Sequence, residues 1–311
     1  MARYLFRRAI ALVFVLFSLT FVTFAVSSLA PGDPVLNLMG GRQDPARYAL
    51  LRHLYGLDQP WIVQYGRYMG GLLQGDLGLS FKYAERPVTQ LIGNGLGASL
   101  VLGGLALVFS VFVGVPTGVY AAMHHNRWQD SVLMALMLAF YSVPSFVLIP
   151  VIWIGVLALF NAGVPTPPVA GWGRPEHLLL PVLVLAAGNI GYIARLTRSS
   201  VLDVLRQDFV RTARAKGVPE RRVLWVHILR NALLPLITVL GPASAFLVTG
   251  AFVVENLFAI PGIGFLTVQS IGQRDYPVIQ ATTLMLGAAV VGMNLLADLA
   301  YGAADPRVRL E

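Results

Sequence analysis

An all-α membrane protein with six spans is the fold class that this chain of 311 residues predicts, on three observations. It is 56% hydrophobic and only 12% charged, where a soluble domain carries about 25% charged residues, so most of its surface faces something other than water. Six segments reach the roughly 20 apolar residues a helix needs to cross hydrocarbon, where every backbone polar group must be satisfied internally. Positive charge is concentrated on one set of connections, as membrane orientation requires.

The spans are expected at 9–29, 98–123, 131–160, 177–194, 232–254 and 278–303, and only the last contains a formal charge, Asp298 near its end. The uncharged run from 131 to 173 is long enough for two crossings. Gly163, Pro165, Pro167, Pro168, Gly171 and Gly173 break its second half, so one span and a loop are expected there. The chain then divides into an N-terminus with the first helix (1–29), an outer loop (30–97), a core of five helices (98–303) containing an inner connection at 203–231 and an outer loop at 255–277, and a C-terminal tail (304–311).

With both termini in the cytoplasm, the inner set of basic residues is Arg3, Arg7, Arg8, Arg127, nine between Arg195 and Arg230, Arg307 and Arg309, which is 15 of the 23. Six of the other eight fall in the 30–97 loop, and long loops largely escape the rule. Counting acids as well, the inner side carries the whole net charge of +8 and the outer side none. Orientation alone accounts for that asymmetry, so no nucleic-acid partner is needed. Arg3, Arg7 and Arg8 before an apolar run also fit a secretory signal peptide, with Ser28 and Ala30 before a cut. A run of about 21 residues exceeds the 7 to 15 typical of such peptides, and Pro31 would hinder cleavage, so the first helix is expected to stay. With no cysteine, disulfides and thiolate metal sites are excluded.

The 30–97 loop mixes turn signals such as Pro31-Gly32-Asp33-Pro34 with amphipathic stretches such as 61–73, and reads as a small folded cap. Trp61, Tyr65 and Tyr68 recur near helical spacing and are expected to pack the cap or sit at headgroup level. In the second outer loop, 263–271 is apolar but too short to cross. It is expected to dip into the interface or lie over a pathway mouth.

The stretch DFVRTARAKGVPERRVLWVHILRNALLP, residues 208–235, is basic and helix-prone. Apolar and charged residues alternate at helical spacing over 204–216 and again over 220–233, and Gly217-Val218-Pro219 between them suits a helix end followed by a new helix. Such helices can rest on anionic lipid. Ala213, Ala215 and Gly217 are too small to anchor there, and flanked by Arg211, Arg214 and Lys216 they suit close approach by another protein. Docking is therefore the expected role of Arg211, Thr212, Ala213, Arg214, Ala215, Lys216, Gly217, Val218, Pro219 and Glu220.

Polar residues inside spans are functional suspects because burying them in hydrocarbon is costly. They are Tyr141, Ser142 and Ser145 near Pro144, Asn189, and Asn294 with Asp298 four residues on and hence on one helix face. Lining a pathway and bonding a neighbouring helix both suit them. His53, His124, His125, His177 and His227 form no HExxH, no serine sits in a GxSxG setting, and neither Lys82 nor Lys216 ends a phosphate-cradling loop. No metal site, catalytic site or nucleotide site is expected. A stand-alone secondary transporter would show paired mid-membrane charges or inverted repeats; neither is visible, and the basic connection would be unexplained.

Several stretches resemble the permease subunits of dipeptide and oligopeptide ABC importers: LAPGDPV (29–35), YGLDQPWIVQYGRYMGGLLQGDLGLSF (55–81), IPGIG with RDYPVIQ, TARAKG, RNALLP and the terminal DPRVR (305–309). In the wider ABC importer pattern, EAA followed by three residues, glycine, nine residues and I-x-LP, Ala213 and Gly217 match. Arg211 replaces the acidic position, and Leu-Pro comes only at Leu234-Pro235. The resemblance implies a type I ABC importer permease fold in a heteromeric complex of the inner membrane. The other members would be a second homologous permease, two ATPase subunits that use ATP and Mg, and an external substrate-binding protein beside the cap. The 211–220 turn would carry ATPase closure into the helices. Peptide is the implied cargo, with a nickel chelate or another small solute as the alternative.

Overall fold

The computed structural model describes residues 2–30, 32–39, 44–83 and 86–304, without the side chains of 2–5, 7, 37, 38, 301, 303, 304 and several within 238–250; the DPRVR motif lies outside this set. In chain order the helices are α1 (Ala2–Leu29), α2 (Pro34–Leu38), α3 (Pro45–Leu54), α4 (Trp61–Leu73), α5 (Val88–Met123), α6 (Trp128–Ser142), α7 (Ser145–Asn161), α8 (Glu176–Leu205), α9 (Asp208–Ala215), α10 (Glu220–Arg222), a π-turn over Val223–Ile228, α11 (Leu229–Ala232), α12 (Leu234–Leu257), α13 (Ile263–Gln273) and α14 (Tyr276–Ala304). The described residues contain no strand, only one isolated bridge between Leu79 and Pro87. Among them four helices are long and apolar enough to cross a membrane: Arg8–Leu29, Val88–Met123, Glu176–Leu205 and Tyr276–Ala300.

The expected single span at 131–160 is instead two helices, α6 and α7, bent by 108° at the intervening break. Val143 is extended, with ψ 115, because the ring of Pro144 disfavours the helical conformation in the residue before it. Counted together, α6 and α7 give a fifth candidate span. The expected span at 232–254 overlaps α12, which is not among the four.

Two compact units divide the chain. The first joins residues 2–99 with 260–289. Its aromatic stripe is laid down by α4, whose Trp61, Tyr65 and Tyr68 share one face at spacings of four and three. They meet α1: Phe17, Phe21 and Phe24 stand 6.5, 5.7 and 5.2 Å from the Tyr65 ring, and Phe21 stands 6.2 Å from Trp61. Thr20, 1% exposed, brings its hydroxyl within 3.1 Å of the Tyr65 hydroxyl. Val88, Leu91 and Ile92 of α5 pack on Ile263, Val278 and Ala281, and the Ile263 amide caps onto Ser99 Oγ at 2.8 Å.

Asp275 closes this unit. It is 1% exposed and accepts from the Phe81 amide at 3.0 Å, the Lys82 amide at 3.3 Å and the Ser80 hydroxyl, while Ser80 Oγ accepts from the Tyr83 amide at 2.9 Å. Hydrogen bonds to a charged group contribute about 1.5–3 kcal/mol each. Asp275→Ala is therefore expected to release the 80–83 loop and expose the outer segment to limited proteolysis at least tenfold faster, with membrane insertion retained.

The second unit holds residues 100–259 and 290–304. Helix α8 is its centre, burying among others Leu185, Ile190, Ile193, Thr197 and Val201. Two glycines let neighbours come to backbone contact with it. A Cβ at Gly118 of α5 would lie 2.3 Å from the Ala194 carbonyl, and a Cβ at Gly191 would lie 2.3 Å from the Met137 carbonyl of α6.

Candidate functional site

The segment 203–231 is a small, dry hub beneath an exposed basic turn. Helix α8 runs on through Leu205, so the first surface helix begins at Asp208 and not at 204 as alternation suggested. Val201 of α8, Ala122 of α5, Val210 and Ala213 of α9, Val223 and Ile228 of the π-turn, and Leu229 and Ala232 of α11 form one buried cluster. The π-turn widens the helical repeat locally, and Val223 and Ile228 face the hub while Trp225 is left 63% exposed.

The turn itself has the geometry its residues predict. Gly217 sits at φ +75, a left-handed conformation costly for side chains with a Cβ. The Val218 amide donates to the Ala213 carbonyl at 3.2 Å and the Gly217 amide to the Arg214 carbonyl at 2.9 Å, the paired bonds of a Schellman helix end. Across the turn, Arg214 donates to both oxygens of Glu220 at 2.8 and 3.2 Å, a bidentate clasp in water. Arg211, Thr212, Ala215, Lys216, Gly217 and Pro219 are exposed with these two, and Val218 is half-buried. One expectation is corrected: Ala213 is 7% exposed and faces the hub. Its small side chain lets α9 approach its own core and is not offered outward to a partner.

The suspected pathway residues are not brought together. Tyr141 and Ser142 are exposed and Ser145 half-buried, all at the α6–α7 bend. Asn189 is 4% exposed, and its Nδ2 has no partner among the described residues. Asn294 and Asp298 are half-buried, and Asn294 lies where α12 crosses α14, since a Cβ at Gly241 would come within 2.9 Å of its Oδ1 and of the Ala297 Cβ. Near the bend, Arg195 of α8 places its guanidinium 4.7 Å from the centre of the Tyr141 ring, and Tyr192 stacks on that ring at 6.2 Å.

Sequence reasoning missed the strongest polar contact of this unit. Asp130, 3% exposed in the first turn of α6, accepts from Arg198 Nε and Nη2 of α8, both at 2.6 Å, and from the Asn126 amide at 3.2 Å. Arg198 Nη2 also lies 3.1 Å from His125 Nδ1. A cleft of about 450 Å³ opens beside the pair, lined by Met134, Met137, Leu138 and Arg195. The only signal in the sequence was an acid just ahead of an apolar run; its partner lies 68 residues away.

A multi-pass helical membrane protein with an exposed basic turn on a buried hub is the class these features define, and the chain belongs to the family of binding-protein-dependent transport system inner membrane components. Residues 114–310 match that family, and residues 1–102 match its N-terminal companion. Over 310 residues the chain is 40% identical to the dipeptide transport system permease protein DppB of Bacillus subtilis (strain 168), covering 100% of this chain and 99% of that protein. Over 309 residues it is 38% identical to the glutathione transport system permease protein GsiC of Salmonella paratyphi A, covering 99% of both. A chain of the MetNI methionine ABC transporter, solved in inward-facing conformations, shares the fold with a TM-score of 0.58 at 19% identity, covering 70% of this chain and 97% of that one.

Proposed function

We propose that this chain is one of two related permease subunits of an ATP-driven importer of di- or oligopeptides, set in a bacterial or archaeal inner membrane with six spans and both termini in the cytoplasm. The four long helices and the α6–α7 pair supply five spans, and α12 is the sixth. The observation that carries the reading is the exposed turn from Arg211 to Glu220 seated on a hub that includes residues of both α5 and α8, because a push on that turn reaches two spans at once. Two ATPase subunits would bind and hydrolyse ATP with Mg and press on the turn. An external binding protein would deliver peptide at the cap formed by 30–97 and 255–277. Tyr141 and Ser142, with Arg195 beside Tyr141, are the pathway residues best placed to meet cargo, since they stand exposed at the bend, with half-buried Ser145 next to them. Relatives named for dipeptide and glutathione transport support peptide as the cargo class.

The test is gentle detergent extraction of the tagged chain, mass spectrometry of what copurifies, and reconstitution into liposomes. Recovery of a second permease and P-loop ATPases, with ATP-dependent uptake of short peptides, is expected. Recovery of the chain alone under conditions that hold other such complexes together, or uptake driven by an ion gradient, would overturn the reading.

A further inference from the structure

A cavity of about 640 Å³ lies within the first unit, walled by α1, α4, the loops that follow α3 and α4, and the first turns of α14. That size falls in the roughly 300–1,000 Å³ range of small-molecule sites, which combine apolar and aromatic walls with a few convergent polar groups. Phe24, Trp61 and Phe81 supply aromatic wall here. Two of the cavity's polar groups have nothing to bond among the described residues. Gln280, only 7% exposed, lines the cavity as well. The Tyr68 and Tyr276 hydroxyls are buried and unpartnered in the same set, and burial pushes the Tyr68 hydroxyl up to about 12. Buried polar groups in native proteins nearly always have a partner, so two orphans lining one cavity beside the Gln280 amide call for a ligand that supplies several bonds at once.

Charge narrows the ligand further. Arg67 lines the cavity and forms no ion pair or hydrogen bond among the described residues, whereas Arg52 is engaged with the Leu57 carbonyl at 3.0 Å. Room for the Arg67 guanidinium is left by Gly56, where a Cβ would stand 2.9 Å from its Nη1. Asp33 and Asp76 bring the opposite sign to the same walls.

We propose that this cavity is a second peptide site, in the external cap: Arg67 takes the C-terminal carboxylate of a short peptide, and Gln280, Tyr68 and Tyr276 take its amide groups. The assignment rests on the peptide reading above and adds to it a place where cargo is held by the permease itself.

The experiment is equilibrium dialysis of radiolabelled trialanine, and of trialanine amidated at its C-terminus, against the purified complex in nanodiscs without its binding protein. Saturable binding of trialanine is expected, with the amide at least tenfold weaker. Arg67→Gln should weaken trialanine at least tenfold and equalise the two ligands, and Tyr276→Phe and Gln280→Leu should each weaken it several-fold with the thermal midpoint of the complex unchanged. Absence of saturable binding, or binding that survives Arg67→Gln combined with Tyr276→Phe, overturns the site. Loss of binding-protein capture in these variants without any trialanine binding also overturns it, assigning the cavity to a loop of that protein. Trialanine uptake by the same complex, measured with binding protein and ATP, separates the two claims: uptake without direct binding rejects the cavity alone, and failure of all peptide uptake rejects the importer reading.

Discussion

Replacing Asp130 with alanine is expected to lower the thermal midpoint of the solubilised complex by roughly 10 °C. Breaking a buried ion pair by removing one partner costs about 3–5 kcal/mol, because the remaining charge is left uncompensated, and for domains of about 150–250 residues each kcal/mol moves the midpoint by about 2–4 °C. Here the stranded partner is Arg198, whose side chain is 24% exposed against 5% for Asp130, so part of its charge can reach water and the lower end of the range applies. Arg198→Ala strands the more deeply buried group, but the Asn126 amide at 3.2 Å still donates to it. The double variant should be more stable than the sum of the two single losses predicts, by about 1–3 kcal/mol of coupling. Strictly additive losses in a thermal-shift measurement would mean that the pair does not hold α6 to α8.

The second large effect falls on coupling and leaves the fold in place. A Cβ at Gly217 meets no atom within 4 Å, so Gly217→Val creates no clash within this chain. Its cost is conformational: a left-handed L-residue loses about 1–2 kcal/mol, more for a β-branched side chain. Either that strain is kept or the turn reopens and displaces the Arg214–Glu220 clasp. ATP-driven uptake is expected to fall at least tenfold while membrane insertion is retained and the thermal midpoint drops by only a few degrees, about what the strain alone costs. Gly217→Asn, which tolerates the left-handed region, should keep most of the uptake. Normal uptake by the valine variant, measured in proteoliposomes, would remove the turn from the coupling mechanism.

Much of this architecture is legible in the residues. The stripe of Trp61, Tyr65 and Tyr68 announces a packed face, and Gly217 followed by Pro219 announces a helix end and a new start. The sequence is silent where pairing is distant: neither Asp130 with Arg198 nor Ser80 with Asp275, 195 residues apart, leaves a periodic trace. Ala213 shows a subtler limit, since a small residue suits close approach from either side and composition cannot tell which. The bend at Pro144 was open to inference from the proline alone, but an uncharged run on both sides of it reads equally well as one straight crossing.

The unbroken passage of α8 from the apolar region into the hub has a mechanical consequence. From Val201 back to Tyr192 the helix spans about 14 Å at the helical rise of about 1.5 Å per residue, so a tilt of about 5° pivoting at the hub carries Tyr192 through about 1 Å. No hinge lies between Val201 in the hub and Tyr192 beside the Tyr141 ring to absorb such a stroke. A displacement small enough to leave the hub's packing intact is thereby passed on undiminished to the Tyr141 ring at the bend. Transmission of this kind depends on stiffness, and a glycine pair inserted between Tyr192 and Val201 would squander it without touching either end.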